Sequence, residues 1–544
     1  MYDARRARIS GTVNGRDTAA TGYGWQDAVI AVLLLAGTVL YLGMLPHNLS
    51  PADESVHLYD AKRLLGGAVM YRDVFNDITP GWMYLMAILF GLFGTDVAVA
   101  RAATAVIHGL AAVLLYAICR QLGVRRGLSW VAPVLYLVVS QPAWPVASQH
   151  WLSTLLAVVV LWLCVLYLRD RVRWGIVLGV ALGLFVMVQQ PRAAITAAGV
   201  GLWLVLDYAL DRRYGSARRL RSLLADLLRV GIGGAAVVVP LLGWLIARAG
   251  FARVWRALVI FPIFDYGGVT HCPWGDVNIV TFGQSTFTFP LLLKYLPVAL
   301  VPAVVRLVWA LVRGQSRDEA RRLLMLIVFA ATSIVSIQYF PDFIHIAFIA
   351  PVFLVAIAES AEWAARRLPV RPPLLRTAGL IAGAALLVAC VVRLDHNLVR
   401  LREAYRFSRE STFGRVDFNR QEDAFLYDRL EDLLQTAPSR SLYCYPIISH
   451  LYLMLNAENP TAHGFFIPGY SGPDLVQEVI DSLAAKRPPY IVLLANLGPP
   501  DPVATWIREH YEPISNDTSG VWRIYRPKPV SALDKGTASK SETM

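Results

Sequence analysis

The feature that most limits what this chain can fold into is a succession of long apolar runs, nearly free of charge, between residues 28 and 392. They fall near 28–45, 97–118, 128–146, 152–168, 175–188, 193–210, 230–246, 289–312, 323–339, 344–361 and 374–392. About 20 apolar residues cross the hydrocarbon core as a helix, and a segment in lipid must satisfy its own backbone, which a helix does. The expected fold is therefore a polytopic α-helical membrane protein of about 11 spans. With 56% hydrophobic and 17% charged residues, the composition agrees. The formal net charge of +12 does not mark a nucleic-acid binder, because the arginines are dispersed over short loops and form no basic domain.

Those arginines set the orientation. Arg5, Arg6, Arg8 and Arg16 precede the first run and place residues 1–27 in the cytoplasm. Arg120, Arg125 and Arg126 fall on the same side, as do Arg169, Arg171 and Arg173, the group from Arg212 to Arg221, the group from Arg313 to Arg322, and Arg366 and Arg367. The intervening loops 141–150 and 338–343 hold no arginine or lysine. This bookkeeping works only if the apolar segment 81–93 does not cross, and at thirteen residues it is too short to do so. The membrane module thus covers 28–394, with a first outer loop at 47–96 and a second at 247–288.

An odd number of spans leaves the C-terminal part outside. From 395 to 527 the composition is that of a soluble domain. Residues 441–445, 490–495 and 521–525 read as strands, and 474–485 and 502–510 as helices, so a small extracytoplasmic α/β domain is expected. Residues 528–544 read as a disordered tail. Cys272 and Cys444 share a side, which leaves a disulfide between them open.

The first outer loop carries the chemistry. It holds Asp53, Glu54, Asp60, Asp73 and Asp77 in an otherwise oily chain. Loops between spans are polar in any membrane protein, but an adjacent Asp-Glu pair can also keep one ionised base at hand for removing a proton from a hydroxyl. Five carboxylates also suffice to attract Mg²⁺, although no ligand spacing demands a metal. The second loop places Arg248, Arg253 and Arg256 on one face of a short helix and Phe251, Val254 and Leu258 on the other. That pattern fits an interfacial helix or a cationic cradle for a lipid-linked phosphate.

Read together, Asp53-Glu54, Ala61 to Leu65, Gly67, Tyr71-Arg72-Asp73, Pro80-Gly81, Phe93-Gly94 and Arg101 resemble the first extracytoplasmic loop of GT-C glycosyltransferases. The resemblance is to the family 39 type, the bacterial relatives of protein O-mannosyltransferase and of the lipid A aminoarabinose transferase. It covers about the first 190 residues. It implies an inverting transferase in the plasma (inner) membrane that moves a sugar from a polyprenyl-phosphate carrier to an acceptor hydroxyl on a glycan, lipid or protein outside. Asp53 would be the general base, with Glu54 beside it. Tyr71, Arg72, Asp73, Arg253, Arg256 and His345 would face the donor. Relatives often have Lys-Pro-Pro where this chain has Ile78-Thr79-Pro80, so a cation for the donor phosphate must come from elsewhere, with Lys62 and Arg192 as further candidates. The rival reading is a transporter or flippase of lipid-linked sugars, which would carry ionisable groups or broken helices near the membrane midplane.

Overall fold

The computed structural model describes residues 23–50, 53–216, 218–266, 272–277, 289–314, 316–367, 372–464, 466, 469, 471–495, 497, 501–514 and 521–529. The expectations for residues 1–22, for most of the tail and for parts of the second outer loop lie outside these.

Helices dominate the membrane module. α1 (Trp25–Gly43) leads into the first loop, which contains α2 (Asp53–Leu65) and α3 (Gly81–Phe93); α4 (Val97–Gln121) follows. Two short turns, α5 (Arg126–Ser129) and α6 (Val131–Leu135), then precede α7 (Gln149–Tyr167), α8 (Arg171–Val186), α9 (Gln190–Arg213) and α10 (Leu220–Ala249). The second loop begins with α11 (Phe251–Trp255). Beyond it come α12 (Pro290–Tyr295), α13 (Val301–Arg313), α14 (Arg317–Val335), α15 (Phe343–Arg367) and α16 (Pro372–Ala404).

Among the described residues eight helices are long and apolar enough to cross a membrane: α1, α4, α7, α9, α10, the joined α12–α13, α15, and the 377–404 stretch of α16. The count of eleven is not reached, and each of the other three expected spans has its own reason. The 128–146 run has the composition of a span but breaks into α5, α6, a wide turn at Tyr136–Ser140 and a tight one at Gln141–Ala143. Pro142 lies within that final turn and cannot continue a helix. α8 has only 16 residues. α14 has 19, but its first turns carry Arg317, Asp318, Glu319, Arg321 and Arg322. α3 is present with 13 residues, about 20 Å of helix, shorter than the hydrocarbon core.

Backbone contact sets the closest packing. A Cβ on Gly179 would collide with the Val230 carbonyl oxygen, and one on Gly233 with that of Ile176. α8 and α10 therefore cross without side chains between them, the usual device for helices in lipid.

The C-terminal domain opens with a hairpin, β1 (Phe407–Ser411) and β2 (Gly414–Phe418), followed by α17 (Gln421–Gln435). β3 (Leu442–Tyr445), α18 (His450–Met454), α19 (Pro473–Lys486), β4 (Tyr490–Leu494), α20 (Pro502–His510), β5 (Tyr511–Pro513) and β6 (Trp522–Pro527) complete it. The sheet order is β3-β4-β6-β5, with β3 and β4 parallel and the other pairs antiparallel. Strand alternation sends Leu442, Cys444 and Val492 into one cluster with Leu426 and Leu430 of α17. Tyr443, Tyr445 and Ile491 enter another with Val479 of α19 and Ile507 of α20, so both sheet faces are covered. Cys272 and Cys444 are both free thiols, so the disulfide left open above does not form.

This domain sits on the first loop. The Phe75 amide donates to the Ala462 carbonyl at 2.9 Å, Lys62 Nζ to Asn456 Oδ1 at 2.7 Å, and the Asn459 amide to the Tyr59 hydroxyl at 2.9 Å. The Val97 amide also donates to the Phe413 carbonyl at 3.0 Å. Loop and domain therefore share one end of the helix bundle. Most of the arginines read as cytoplasmic gather at the other.

Candidate active site

α2 begins at Asp53, and its first turn is Asp53-Glu54, where carboxylates suit the positive end of the helix dipole. Successive residues on a helix point about 100° apart, so the two carboxylates part company. Glu54 turns inward and is fully buried. It accepts the backbone amides of Ser50 at 2.9 Å and Ala147 at 2.7 Å, and pairs with Arg101 at 3.0 Å. Arg101 in turn donates to the carbonyls of Asn48 and Pro145. The pair ties the start of α2 to α4 and to the 141–147 turn, so Glu54 positions the helix.

Asp53 faces the other way, into a cavity of about 660 Å³. No ion pair with a described residue holds it. Burial pushes its carboxyl above the usual range; the nearby His345 pulls it down and Asp342 pushes it up again. Asp77 lines the same cavity and is raised to about 6, by burial and by the charge of Asp53. His57, one helical turn after Asp53, also lines the cavity, and burial lowers it to about 4, which keeps it neutral.

The remainder of the loop is shaped to bring Asp77 there. Tyr71 has φ +67°, a left-handed turn that is rare for an aromatic residue. Its amide donates to the Val74 carbonyl at 2.7 Å and its hydroxyl to the Ile78 carbonyl at 2.8 Å, which fixes the turn. Asp73 accepts the Val69 amide at 2.8 Å and Arg72 at 2.8 Å, and the Arg72 side chain is 46% exposed. The Tyr71-Arg72-Asp73 motif thus shapes the loop from outside the cavity wall.

Past Asp77 the chain is clasped to the α8–α9 corner. The Thr79 amide donates to Gln190 Oε1 at 3.0 Å, and Gln190 Nε2 donates to the Asp77 carbonyl at 2.8 Å. The Gly81 amide donates to the Met187 carbonyl at 2.7 Å, where a Cβ would collide with that oxygen. This is why the Pro80-Gly81 step needs its glycine.

The corner brings Arg192 to the cavity. Nη1 donates to Ser153 Oγ at 2.8 Å and Thr154 Oγ1 at 3.1 Å, and Nη2 to the Phe348 carbonyl at 2.8 Å. Arg192 is 5% exposed, and no carboxylate among the described residues pairs with it. α15 supplies His345, whose Nδ1 lies 2.7 Å from Asp342 Oδ1; the same oxygen accepts the His345 amide at 2.6 Å. The His345 ring is enclosed by Tyr339, Phe340, His150 and Phe348. The remaining wall is apolar and includes Val186, Leu258, Phe261 and Ile263.

Of the residues singled out from sequence, then, Asp53, Asp77, Arg192 and His345 line the cavity. Glu54, Tyr71, Arg72, Asp73, Arg253 and Arg256 do not line it. Arg253 is exposed, and Arg256 spans from the second loop to Asp474 of the C-terminal domain at 2.7 Å and to Asp265 at 3.6 Å. The wall also holds groups that the sequence reading did not single out, namely His57, Gln149, His150, Gln190 and Asp342. The i, i+4 spacing of Asp53 and His57 and the i, i+3 spacing of Asp342 and His345 were the available signals. Among the described residues no group of three or more His, Cys, Asp or Glu is arranged to hold a metal ion.

Fold and site together define a multi-helix membrane protein with a charged cavity at one end of its helix bundle. Solved structures place that fold. ArnT from Cupriavidus metallidurans bound to undecaprenyl phosphate superposes with a TM-score of 0.54 at 13% identity, over 93% of this chain and 98% of that one. Its apo form gives 0.52 at 14% identity, over 92% and 98%. The arabinofuranosyltransferase AftD from Mycobacteria gives 0.50 at 16% identity, over 94% of this chain and 40% of AftD. The chain has the GT-C fold that these enzymes share. No protein-family model matches it, and no curated protein sequence does.

Proposed function

We propose that this protein is an inverting glycosyltransferase that takes a sugar from a polyprenyl-phosphate carrier and places it on an acceptor hydroxyl at the outer face of the membrane. One observation carries the reading. A single cavity holds a carboxylate, Asp53, and a buried guanidinium, Arg192, neither with an ion-pair partner among the described residues, while its third wall is apolar. Burying an unpaired charge costs several kcal/mol, roughly, unless something arrives to meet it. A substrate that loses a proton at one end and develops negative charge at the other meets both.

The step follows from those positions. The acceptor hydroxyl gives its proton to Asp53 as its oxygen forms a bond to the anomeric carbon. The bond from that carbon to the phosphate oxygen breaks, and the electron pair leaves with the phosphate. Attack opposite the leaving group inverts the centre. A phosphate is already a fair leaving group, so it needs a positive neighbour more than an acid. Arg192 supplies it, because three of its five N–H groups are bound by protein and two remain. It thereby takes the place of the lysine that relatives carry near Ile78. The Asp342-bound His345 sits beside Asp53, where its ring nitrogen can orient the acceptor. The apolar wall of Leu258, Phe261 and Ile263 suits the first isoprene units. The fold shared with an ArnT bound to undecaprenyl phosphate supports such a donor.

The test is turnover of a polyprenyl-phosphate sugar by purified protein and by Asp53→Asn. The amide should cost on the order of 10²- to 10⁴-fold in rate without loss of fold. Near-normal turnover by the variant would overturn the mechanism.

A further inference from the structure

A second cavity, of about 470 Å³, lies where α1 and α16 leave the bundle and the C-terminal domain begins. Its walls include residues 43–47, Arg402, Arg406, Arg415 and Asp417. The one carboxylate is already occupied: Asp417 accepts the His47 amide at 2.8 Å and Ser408 Oγ at 2.6 Å, with Arg415 at 3.4 Å. Arg402 donates to the Met44 carbonyl at 3.0 Å, and Arg406 lies over the Phe407 ring at 5.1 Å. Three guanidinium groups against one carboxylate leave two positive charges facing this space.

Its depth in the membrane follows from the helices that end there. α1 and α16 each qualify as spans. Both expose large apolar side chains along their length, Leu33 and Leu40 on α1, and Val388 and Val392 on α16. Helices bare to this degree face lipid, so the cavity at their ends stands at the headgroup layer. The cluster is also at the wrong end to be a topology signal. It shares the end of the acidic loop and the C-terminal domain, opposite the arginine-rich loops.

We propose that this cavity binds the phosphate of a membrane lipid headgroup through Arg402, Arg406 and Arg415, with the acyl or isoprenoid chains lying along α1 and α16. The wall at 43–47 runs on to Asn48 and Ser50, which hold Arg101 and Glu54 at the start of α2. A lipid seated here steadies the segment from which Asp53 projects.

The experiment is native mass spectrometry of the full chain released from nanodiscs of equimolar phosphatidylglycerol and phosphatidylcholine. Wild-type protein should retain one more phosphatidylglycerol than the triple variant Arg402→Gln, Arg406→Gln, Arg415→Gln, with equal phosphatidylcholine. Arg406→Glu is the second variant, because this exposed side chain can change with little cost to folding. Each arginine charge lost should weaken retention about 5-fold, from roughly 1 kcal/mol per basic residue near an anionic surface. Added polyprenyl phosphate that displaces the phosphatidylglycerol makes a lipid-linked sugar carrier the natural occupant, and failure to displace it makes bulk phospholipid the occupant. Equal phosphatidylglycerol retention by wild type and both variants overturns the proposal. None of these readouts depends on glycosyl transfer.

Discussion

The two ends of the helix bundle treat charge in opposite ways. At the arginine-rich end every buried carboxylate has arginine partners. Asp207 is held by Arg171 at 2.8 Å, Arg218 at 3.1 Å and Arg321 at 2.6 Å. Asp211 pairs with Arg317 at 2.7 Å, Asp226 with Arg218 at 2.7 Å, Asp27 with Arg126 at 2.8 Å, and Glu362 with Arg125 at 2.8 Å. Arg306 bridges Glu319 at 2.7 Å and Glu359 at 2.6 Å. At the opposite end Asp53, Asp77 and Arg192 line one cavity and form no ion pairs with described residues. Paired charges fix helix ends in place. Unpaired ones store free energy that a substrate can release, which is why perturbed groups in a cleft mark chemistry.

Breaking the paired end should produce the largest effect on the fold. Asp207→Ala removes the carboxylate shared by Arg171, Arg218 and Arg321 and leaves Arg321 with Asp211 at 3.7 Å, and removing one partner of a buried pair costs about 3–5 kcal/mol. Unfolding followed in detergent should show that loss, with activity falling only as folded protein disappears. A stability equal to wild type would mean the network is ornamental.

Arg192→Met should do the reverse. An apolar side chain of similar volume at a buried charge is often neutral or stabilising, while loss of a charge-stabilising donor costs about 10²- to 10³-fold in turnover. Unchanged kcat with a lowered melting temperature would assign Arg192 to the scaffold.

The acidic loop also carries a pH signature. Burial raises Asp77 to about 6 and, despite its bond from Asn76, Asp60 to about 7. Both carboxyls therefore hold a proton in the folded chain that the unfolded chain has released above about 4. The folded state binds more protons between those limits, so these two groups make stability fall as pH rises from about 4 to about 7. Asp77→Asn should flatten the lower part of that decline in a thermal-melt series, and an unchanged slope would place Asp77 in solvent.

The smallest effect belongs to Arg72. Its pair with Asp73 is exposed, so Arg72→Ala should change kcat/KM by less than about 2-fold. A larger loss, above all in donor KM, would bring Tyr71-Arg72-Asp73 into contact with substrate.

The same contrast explains what could be read before the structure. The arginine end was legible because its charges fall in the short loops between apolar runs, and α3 because its apolar run is itself only thirteen residues long. The acidic loop stood out against an apolar background. The far wall did not, because Gln149, Gln190 and Asp342 look like ordinary polar residues at span ends, Arg192 was one of several candidate cations, and only tertiary packing brings them to Asp53. The 128–146 run misled because apolar composition says nothing of where prolines interrupt a ladder of hydrogen bonds. In the C-terminal domain the main strands announced themselves as apolar runs, whereas β1 and β2 are written in Ser, Arg, Glu and Asp and carry no such signal.

The clasp at Gly81 has a consequence for how substrates enter. The amide bond to Met187 and the Gln190 contacts to Thr79 and Asp77 join the acidic wall to the Arg192 wall as one rigid jaw. In the roles proposed above, Asp53 and Arg192 would then keep their spacing, held by a glycine whose Cβ would collide with the Met187 carbonyl. Admission of a bulky acceptor would then fall to the remaining wall. That wall is the second loop at Arg256–Tyr266, wound in wide π turns and anchored to the C-terminal domain through Arg256 and Asp474. The small α/β domain would thus serve as the gatepost on which the entrance swings.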